Sequence, residues 1–267
     1  MLEFLIHIDP VAFSIGPLEV RWYGLAYLAG MLLGLFYAKW IVKEFVFDKK
    51  SYVTIEQVDE IFIWIVLGII FGARIGYVFF YQPDLILNNP LGLFAVWEGG
   101  MSFHGGLGGI ILTIFLFTKK NKINFFYFSD LISLVAPIGI LFGRLANFIN
   151  IELYGRITNF PFAMIYPTID MNPRHPSQLY EALFEGIILF LILLFIYKKK
   201  FSRKQHGEIT SFFLFFYGIF RFIIEFLREP DPQIGLFIEI FSMGQLLSIP
   251  LIIIGIIIYI KKNTLND

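Results

Sequence analysis

Seven apolar stretches run through this chain, and most are about as long as a helix that crosses a bilayer; the third is short and begins among glycines, so a re-entrant segment is the alternative there. A bilayer core offers the backbone no water, so a spanning segment must satisfy its own polar groups, as a helix does. The chain is 57% hydrophobic and 19% aromatic, above the range of soluble domains. We therefore predict an all-α integral membrane protein with seven transmembrane helices, forming a single membrane domain over residues 1–267. The seven stretches are 21–41, 58–81, 103–118, 125–149, 178–197, 207–227 and 241–260.

Lysine is confined to four places, which predicts the orientation of the chain. The four places are 39–50, 119–122, 198–204 and 261–262. They are alternate loops plus the C-terminal end, so they share one side of the membrane, and an excess of lysine and arginine marks the cytoplasmic side. This predicts an N-terminus outside and a C-terminus in the cytoplasm. The longest outward loop, 150–177, is rich in Pro, Asn and aromatic residues, and we predict that it forms a small extracytoplasmic cap.

Three arginines, Arg74, Arg144 and Arg221, lie inside apolar stretches. A charge at that depth is costly and is usually functional. The planar guanidinium suits carboxylate and phosphate groups, so these residues predict that an anion is held in or near the bilayer. Arg144 is followed by Asn147 and Asn150 at i+3 and i+6, on one broad helix face.

Arg221, Glu225 and Arg228 are spaced i, i+4 and i+7, which places them along one helix stripe. One interpretation is an internal ion pair that lets the charges survive in the membrane. We favour anion binding, because Glu225 neutralises only one of the two arginines and leaves the stripe positive.

Glycines repeat at every fourth position in the second and fourth stretches, a pattern typical of close helix packing. Such packing would direct Arg74 and Arg144 towards protein or a cavity instead of lipid. The glycines are Gly68, Gly72, Gly76, Gly139 and Gly143.

The segment 98–106 places Ser102 and His104 between two glycine pairs. Glycine allows a backbone to approach a ligand closely, and histidine titrates near neutral pH. His104 is therefore a candidate general base, or a donor to a phosphate or ester; a histidine hydrogen-bonded at a helix end is an equal alternative. An intramembrane serine protease using Ser102 and His104 is disfavoured, because helical residues two apart point to different faces.

The segment 174–181 begins the fifth apolar stretch. We expect Ser177 or a neighbour to cap that helix, with Glu181 in its first turn. Tyr23 opens the first stretch beside Trp22, where aromatic residues are ordinary membrane-interface anchors.

The chain has no cysteine, which excludes a disulfide framework, a thiolate nucleophile and a Cys-ligated metal. We predict no metal site, no cofactor and no nucleic-acid partner. The residues alone indicate a membrane protein that binds an anionic lipid, or another phosphate or carboxylate, near its outward half. An organic-anion transporter would show inverted repeats or broken helices in both halves, and the sequence shows no convincing repeat. A non-catalytic lipid-binding protein would not need both His104 and the 221–228 stripe.

These same motifs resemble those of the prolipoprotein diacylglyceryl transferases of bacterial inner membranes. The resemblance runs in order through nearly the whole chain. The motifs are RWYG at 21–24, WEGGMSFHGG at 97–106, GRLANFIN at 143–150, RHPSQLYE at 174–181, YGIFR to REPD over 217–231 and SMGQ at 242–245.

The resemblance implies a reaction, the first step of lipoprotein maturation. The diacylglyceryl group of phosphatidylglycerol passes to the lipobox cysteine thiol of a prolipoprotein, a thioether forms and glycerol 1-phosphate leaves. It also implies an active site towards the outer leaflet of the inner membrane. The catalytic residues it implies are Tyr23, His104, Arg144 and Arg221. The substrate-binding residues it implies are Gly99, Gly105, Arg144, Asn147, Gly155, Glu225 and Arg228.

The attacking thiol belongs to the substrate, so the absence of cysteine from this chain is compatible with the reaction. His104 is the candidate base for that thiol; the alternative is that the arginines lower the thiol pKa unaided. One departure from the family pattern is Ile151, where the family usually has glycine ahead of Glu152.

Overall fold

The computed structural model describes residues 4–5, 8–44, 53–96, 99–200, 206–230, 236–237 and 240–264. Within these ranges the chain is mostly helical, and five helices are long and apolar enough to cross a membrane. Helices occupy all seven predicted apolar stretches. Trp97, Glu98 and Asp231 of the sequence motifs lie outside the described residues, as do Lys49, Lys50 and Lys204 of the lysine pattern.

The five long apolar helical segments are α1 (Trp22–Glu44), α2 (Ile55–Tyr81), α5 (Phe125–Ile149), the run Ser177–Lys199 and α9 (Met243–Thr264). The run from Ser177 consists of α6 (Ser177–Glu181), a π-helical segment (Ala182–Ile188) and α7 (Leu189–Lys200). Two more helices are α4 (Phe103–Asn121) and α8 (Glu208–Ile224). A short α3 (Asp84–Asn88) and a 3-10 turn (Pro90–Phe94) follow α2.

Short strands join the helix ends, a feature that the all-α prediction did not include. Strand β1 (Phe4–Leu5) pairs in parallel with β4 (Met164–Ile165), which pairs antiparallel with β5 (Pro173–Arg174). Two antiparallel hairpins complete the set: β2 (Val11–Ile15) with β3 (Leu18–Arg21), and β6 (Leu236–Phe237) with β7 (Phe241–Ser242). The chain forms two compact units, of which the first comprises residues 1–37 and 130–267 and the second comprises residues 38–129.

In the second unit, α2 packs on α4 through glycines, as the four-residue spacing predicted. A Cβ on Gly72 would lie 2.5 Å from the carbonyl oxygen of Gly105, and one on Gly76 would lie 2.7 Å from the Cα of Gly105. Gly68 meets Gly109 in the same way. Backbones this close leave no room for a side chain, so the spacing is explained by helix packing.

In the first unit, the charged residues at the two ends of α8 differ. At its start, the buried carboxylate of Asp130 on α5 accepts from the Thr210 backbone N–H (2.8 Å) and hydroxyl (2.7 Å). Helix α9 runs antiparallel to α8, because Gly255 packs on Ser211 while Gly244 packs on Glu225. The starts of α5 and α8 and the end of α9 therefore lie together, and the lysine segments 119–122, 198–204 and 261–262 adjoin them in the sequence.

Candidate active site

The opposite ends of α5 and α8 carry a cluster of buried charges. Arg144 on α5 pairs through Nε with Glu181 (3.1 Å) and through Nη2 with Glu185 (3.2 Å). Arg221 on α8 also donates to Glu181. Both glutamate side chains are fully buried, and each pair joins two helices, so the charges fix the mutual position of α5, α6 and α8.

Arg228 and Glu225 extend the cluster beyond the end of α8. Arg221 Nη2 pairs with Glu225 at 2.7 Å, and Arg228 Nη1 lies 3.9 Å from Glu225 and 3.8 Å from Glu181. The sequence predicted that Arg221, Glu225 and Arg228 lie along one helix stripe. The structure brings the three together with Arg144, but α8 ends at Ile224, so Glu225 and Arg228 lie beyond the helix.

The net positive charge predicted for Arg221, Glu225 and Arg228 does not extend to the cluster as a whole. Glu181 and Glu185 add two carboxylates, so three arginines face three glutamates among the described residues. Sequence reasoning missed both as site residues. The signal was present, since carboxylates four apart at the head of an apolar stretch are as costly to bury as the arginines.

The predicted cap by Ser177 is also wrong. The cap residue of α6 is Pro176, with no side-chain hydrogen bond, and the Ser177 hydroxyl donates instead to the Leu153 carbonyl (2.8 Å). Glu185 lies in the π-helical segment that continues α6. Single π turns inside helices are frequent at functional sites, because they redirect side chains that a regular helix would place elsewhere.

Arg144 is the most accessible cation of the cluster. Its side chain is 17% exposed, against 12% for Arg221 and 7% for Arg228.

The asparagines on the Arg144 face meet an acidic residue. Asn147 Nδ2 donates to Glu152 Oε2 (3.0 Å), and Asn150 Nδ2 lies 3.4 Å from Glu152 Oε1. Ile151 has a φ of 56°, so it keeps the left-handed backbone that glycine would favour there.

Gly155 lies where the segment 150–177 meets the chain after α8. Its N–H donates to the His175 carbonyl (2.9 Å), and a Cβ on it would lie 2.8 Å from the Leu227 carbonyl oxygen. Arg156 N–H donates to that same carbonyl at 2.9 Å. Backbone packing therefore requires a glycine at this position. The backbone hydrogen bonds hold the segment 150–177 to residues 227–229.

Tyr23 lies in the first turn of α1, and its hydroxyl is 3.2 Å from that of Tyr27. The Tyr27 hydroxyl in turn is the nearest atom to a Cβ built on Gly143, at 4.0 Å. The tyrosine pair therefore lies beside the helical turn that carries Arg144.

His104, Gly99 and Gly105 belong to the second unit. His104 is exposed in the first turn of α4. Ser102 is buried and caps that helix by accepting from the Gly105 N–H (3.3 Å), so capping accounts for this serine without a nucleophilic role. Gly105 packs against α2, and the Gly99 carbonyl accepts from Arg74.

Within the segment 150–177, Arg174 pairs with a carboxylate and a backbone carbonyl. It donates through Nε and Nη2 to Asp170 (3.3 and 2.6 Å) and through Nη1 to the Gly155 carbonyl (3.2 Å). The hydrogen bonds from Arg174 lower the pKa of Asp170 to about 2. Burial lowers the pKa of His175, whose Nδ1 lies 3.3 Å from the Tyr180 hydroxyl.

Comparison with known proteins gives one consistent family. The family model described as prolipoprotein diacylglyceryl transferase matches residues 10–261. A relative from Rickettsia felis is 48% identical over 257 residues, covering 96% of this chain and 98% of its own length. One from Rickettsia africae is 49% identical over 249 residues, 93% of this chain and 95% of its length. One from Rickettsia typhi is 46% identical over 260 residues, covering 97% of this chain and 99% of its own length. All three are named phosphatidylglycerol–prolipoprotein diacylglyceryl transferase.

Proposed function

This chain belongs to the prolipoprotein diacylglyceryl transferase family, and on that premise we propose that it transfers the diacylglyceryl group of phosphatidylglycerol to the lipobox cysteine thiol of a prolipoprotein. The single observation that carries the proposal within the molecule is the buried arginine cluster. Arg144 and Arg221 are locked by fully buried glutamates, and Arg144 keeps an exposed side.

In the proposed reaction the substrate sulfur bonds to the glycerol carbon that bears the phosphate, and the carbon–oxygen bond breaks. The phosphate leaves as glycerol 1-phosphate, with its phosphorus–oxygen bonds intact. Negative charge grows on the departing oxygen, and fixed donors in a site shielded from water stabilise such charge most strongly. Arg144 and Arg221 supply those donors, and because their carboxylate partners fix their positions, little reorganisation is needed.

The thiol must lose its proton to attack. We assign His104 as the base; its exposed place in the first turn of α4 is compatible with access by a substrate. Activation of the thiol by the arginines alone is the alternative, and the glutamates favour His104, because they leave the cluster formally neutral.

The remaining assignments concern binding. Asn147 is held by Glu152 next to the Arg144 face, and Tyr23 lies beside the same helix turn. Gly155, Glu225 and Arg228 shape the substrate-binding surface at the meeting of the cap segment and α8. Gly99 and Gly105 are assigned to binding by their motif, although helix packing already accounts for Gly105.

We also propose seven spans in the bacterial inner membrane, with α4 and α8 added to the five long apolar helices. The lysine segments adjoin one end of α5, α8 and α9, and the arginine cluster lies at the other end of α5 and α8. That segregation supports an outside N-terminus, a cytoplasmic C-terminus and a site towards the outer leaflet. Residues 150–177 then form the extracytoplasmic cap of a single membrane domain.

The test is turnover by the purified full chain in phosphatidylglycerol micelles, with a synthetic lipobox peptide. We expect glycerol 1-phosphate release in step with a mass increase of the peptide by one diacylglyceryl group. The matched control peptide has serine in place of the cysteine and should release nothing. Absence of release from a folded preparation, or equal release with both peptides, would reject the proposed reaction.

A further inference from the structure

Two residues without the freedom of glycine adopt a left-handed backbone on either side of Glu152. Ile151 and Leu153 each have a φ of 56°. For a β-branched residue such as isoleucine this region is sterically unfavourable, and it persists only where surrounding contacts impose it. The contacts around this turn therefore show which groups stabilise the left-handed conformation.

The turn is held from α6 by two side chains that are both fully buried. Gln178 Nε2 donates to the Glu152 carbonyl at 2.7 Å, and the Ser177 hydroxyl donates to the Leu153 carbonyl at 2.8 Å. The Gln178 amide is itself oriented, because its Oε1 accepts from the buried Tyr166 hydroxyl at 3.4 Å. Consecutive carbonyls on the turn thus receive consecutive donors from one helix.

The turn places the carboxylate of Glu152 against the side-chain amide of Asn147. The Glu152 N–H donates to the Asn147 carbonyl (2.9 Å), and the Glu152 side chain accepts from the Asn147 amide (3.0 Å). The side-chain amide of Asn147 is therefore oriented by Glu152, and Glu152 is oriented by the left-handed turn. Glu152 itself remains exposed.

We propose that Ser177 and Gln178 are positioning residues for the transfer reaction. They hold the 151–153 turn in its left-handed form, and through Glu152 they fix the Asn147 amide beside Arg144. This rests on the proposed function for its readout. Further along the same helical run, Glu181 and Glu185 fix Arg144, so one helical segment sets both the amide and the guanidinium of the site.

Lys122 provides the internal contrast. It has a φ of 57°, but it is the left-handed cap of α4, held by backbone bonds to Lys119 and Thr118 at that helix end. A left-handed residue at a helix end is common and is stabilised locally. Ile151 likewise follows the end of a helix, α5, where the N–H groups of Ile151 and Glu152 donate to the Phe148 (3.2 Å) and Asn147 (2.9 Å) carbonyls. The 151–153 turn differs from Lys122 in the two side-chain donors that it also receives from α6, so removing those side chains should loosen it.

The experiment removes each donor with little change of volume, in the full chain with phosphatidylglycerol and the lipobox peptide. Ser177→Ala and Gln178→Met should each lower kcat/KM about tenfold, the effect expected when a strained turn relaxes. Adding Ile151→Gly should return kcat/KM to about a third of wild type or more, because glycine adopts the left-handed region unaided. Ile151→Ala also removes the isoleucine side chain but gives no such freedom, so it should not rescue. Lys122→Gly in the same backgrounds should not rescue either.

Melting temperatures of every variant separate positioning from folding. Rescue of kcat/KM by glycine alone, at a temperature where all variants are folded, supports the proposal. Equal rescue by Ile151→Ala and Ile151→Gly, rescue of the melting temperature without kcat/KM, or no loss in either single variant overturns it. Wild-type protein without turnover would reject the proposed reaction instead, and the same rescue pattern would then be measured in the binding of phosphatidylglycerol micelles.

Discussion

Arg74 and Arg144 are both arginines inside long apolar helices, yet they are held in different ways. Arg74 is buried and donates to backbone carbonyls, through Nε and Nη2 to Gly92 (3.2 and 2.8 Å) and through Nη1 to Gly99. Arg144 pairs with the side chains of Glu181 and Glu185 and stays 17% exposed. In the first arrangement, the arginine holds the backbone after α2 in place. In the second, the glutamates hold the Arg144 side chain in place.

The difference fits the roles that we propose, a structural one for Arg74 and a catalytic one for Arg144. The carbonyl oxygens of Gly92 and Gly99 accept from the buried Arg74 guanidinium, which thereby orders the chain after α2. Buried carboxylates fix the geometry of the partly exposed Arg144 guanidinium, as the proposed function requires of a group that binds phosphate. We therefore expect replacement of Arg74 to lower mainly stability and replacement of Arg144 to lower mainly turnover.

Arg144→Ala is expected to have the largest effect. Loss of a fixed donor to the developing phosphate charge should lower kcat by about a thousandfold, at the upper end for removal of one such donor. The measurement is glycerol 1-phosphate release with saturating peptide. Lys199→Ala is the matched control, since Lys199 is an exposed cation on α7, and it should leave turnover intact. Equal losses in the two variants would mean that Arg144 acts only as part of the fold.

His104→Asn tests whether activation of the substrate thiol needs a base in addition to the arginines. The change keeps a polar side chain of similar size but removes the titrating group, so we expect kcat/KM to fall about a hundredfold, the low range for general-base catalysis. The measurement is the pH profile of both proteins, with melting curves recorded alongside. Near-normal turnover across the profile would assign thiol activation to the arginine cluster and remove His104 as base.

Much of this contrast could be predicted from the sequence, and part could not. Helix positions and the close packing of α2 at Gly72 and Gly76 followed from apolar length and glycine spacing, which are local patterns, but their partner Gly105 did not. Pairing of Arg144 with Glu185 could not be predicted in this way, since the residues are 41 apart and meet only through tertiary packing. The short strands escaped prediction for the same reason, because two-residue pairings such as β1 with β4 carry no periodicity.

Arg74→Lys should reduce stability more than chemistry. Arg74 reaches the Gly92 and Gly99 carbonyls through different nitrogens of its planar guanidinium, a span that a compact ammonium lacks. We therefore expect one buried acceptor to lose its partner in the lysine variant, at a cost of roughly 1–3 kcal/mol. We expect a lower melting temperature and, below it, turnover of the same order as wild type. Arg144→Lys is the paired variant and should show the reverse pattern. A catalytic loss in Arg74→Lys comparable to that of Arg144→Lys would break the distinction.

Arg174 combines both arrangements outside the spans, and its partner Asp170 gives the smallest predicted effect. Arg174 lowers the folded pKa of Asp170 to about 2, whereas an unperturbed aspartate has a pKa of about 3.9. Because the folded pKa is depressed, the pair contributes stability above about pH 4, and that contribution is lost as the pH falls towards 2. Asp170 is partly exposed, so the contribution is small. Melting temperatures of wild type and Asp170→Asn should therefore differ slightly at about pH 6 and converge at about pH 2.5. A difference that stays constant over that range would show that Arg174 is held by the Gly155 carbonyl and Glu229, without help from the charge on Asp170.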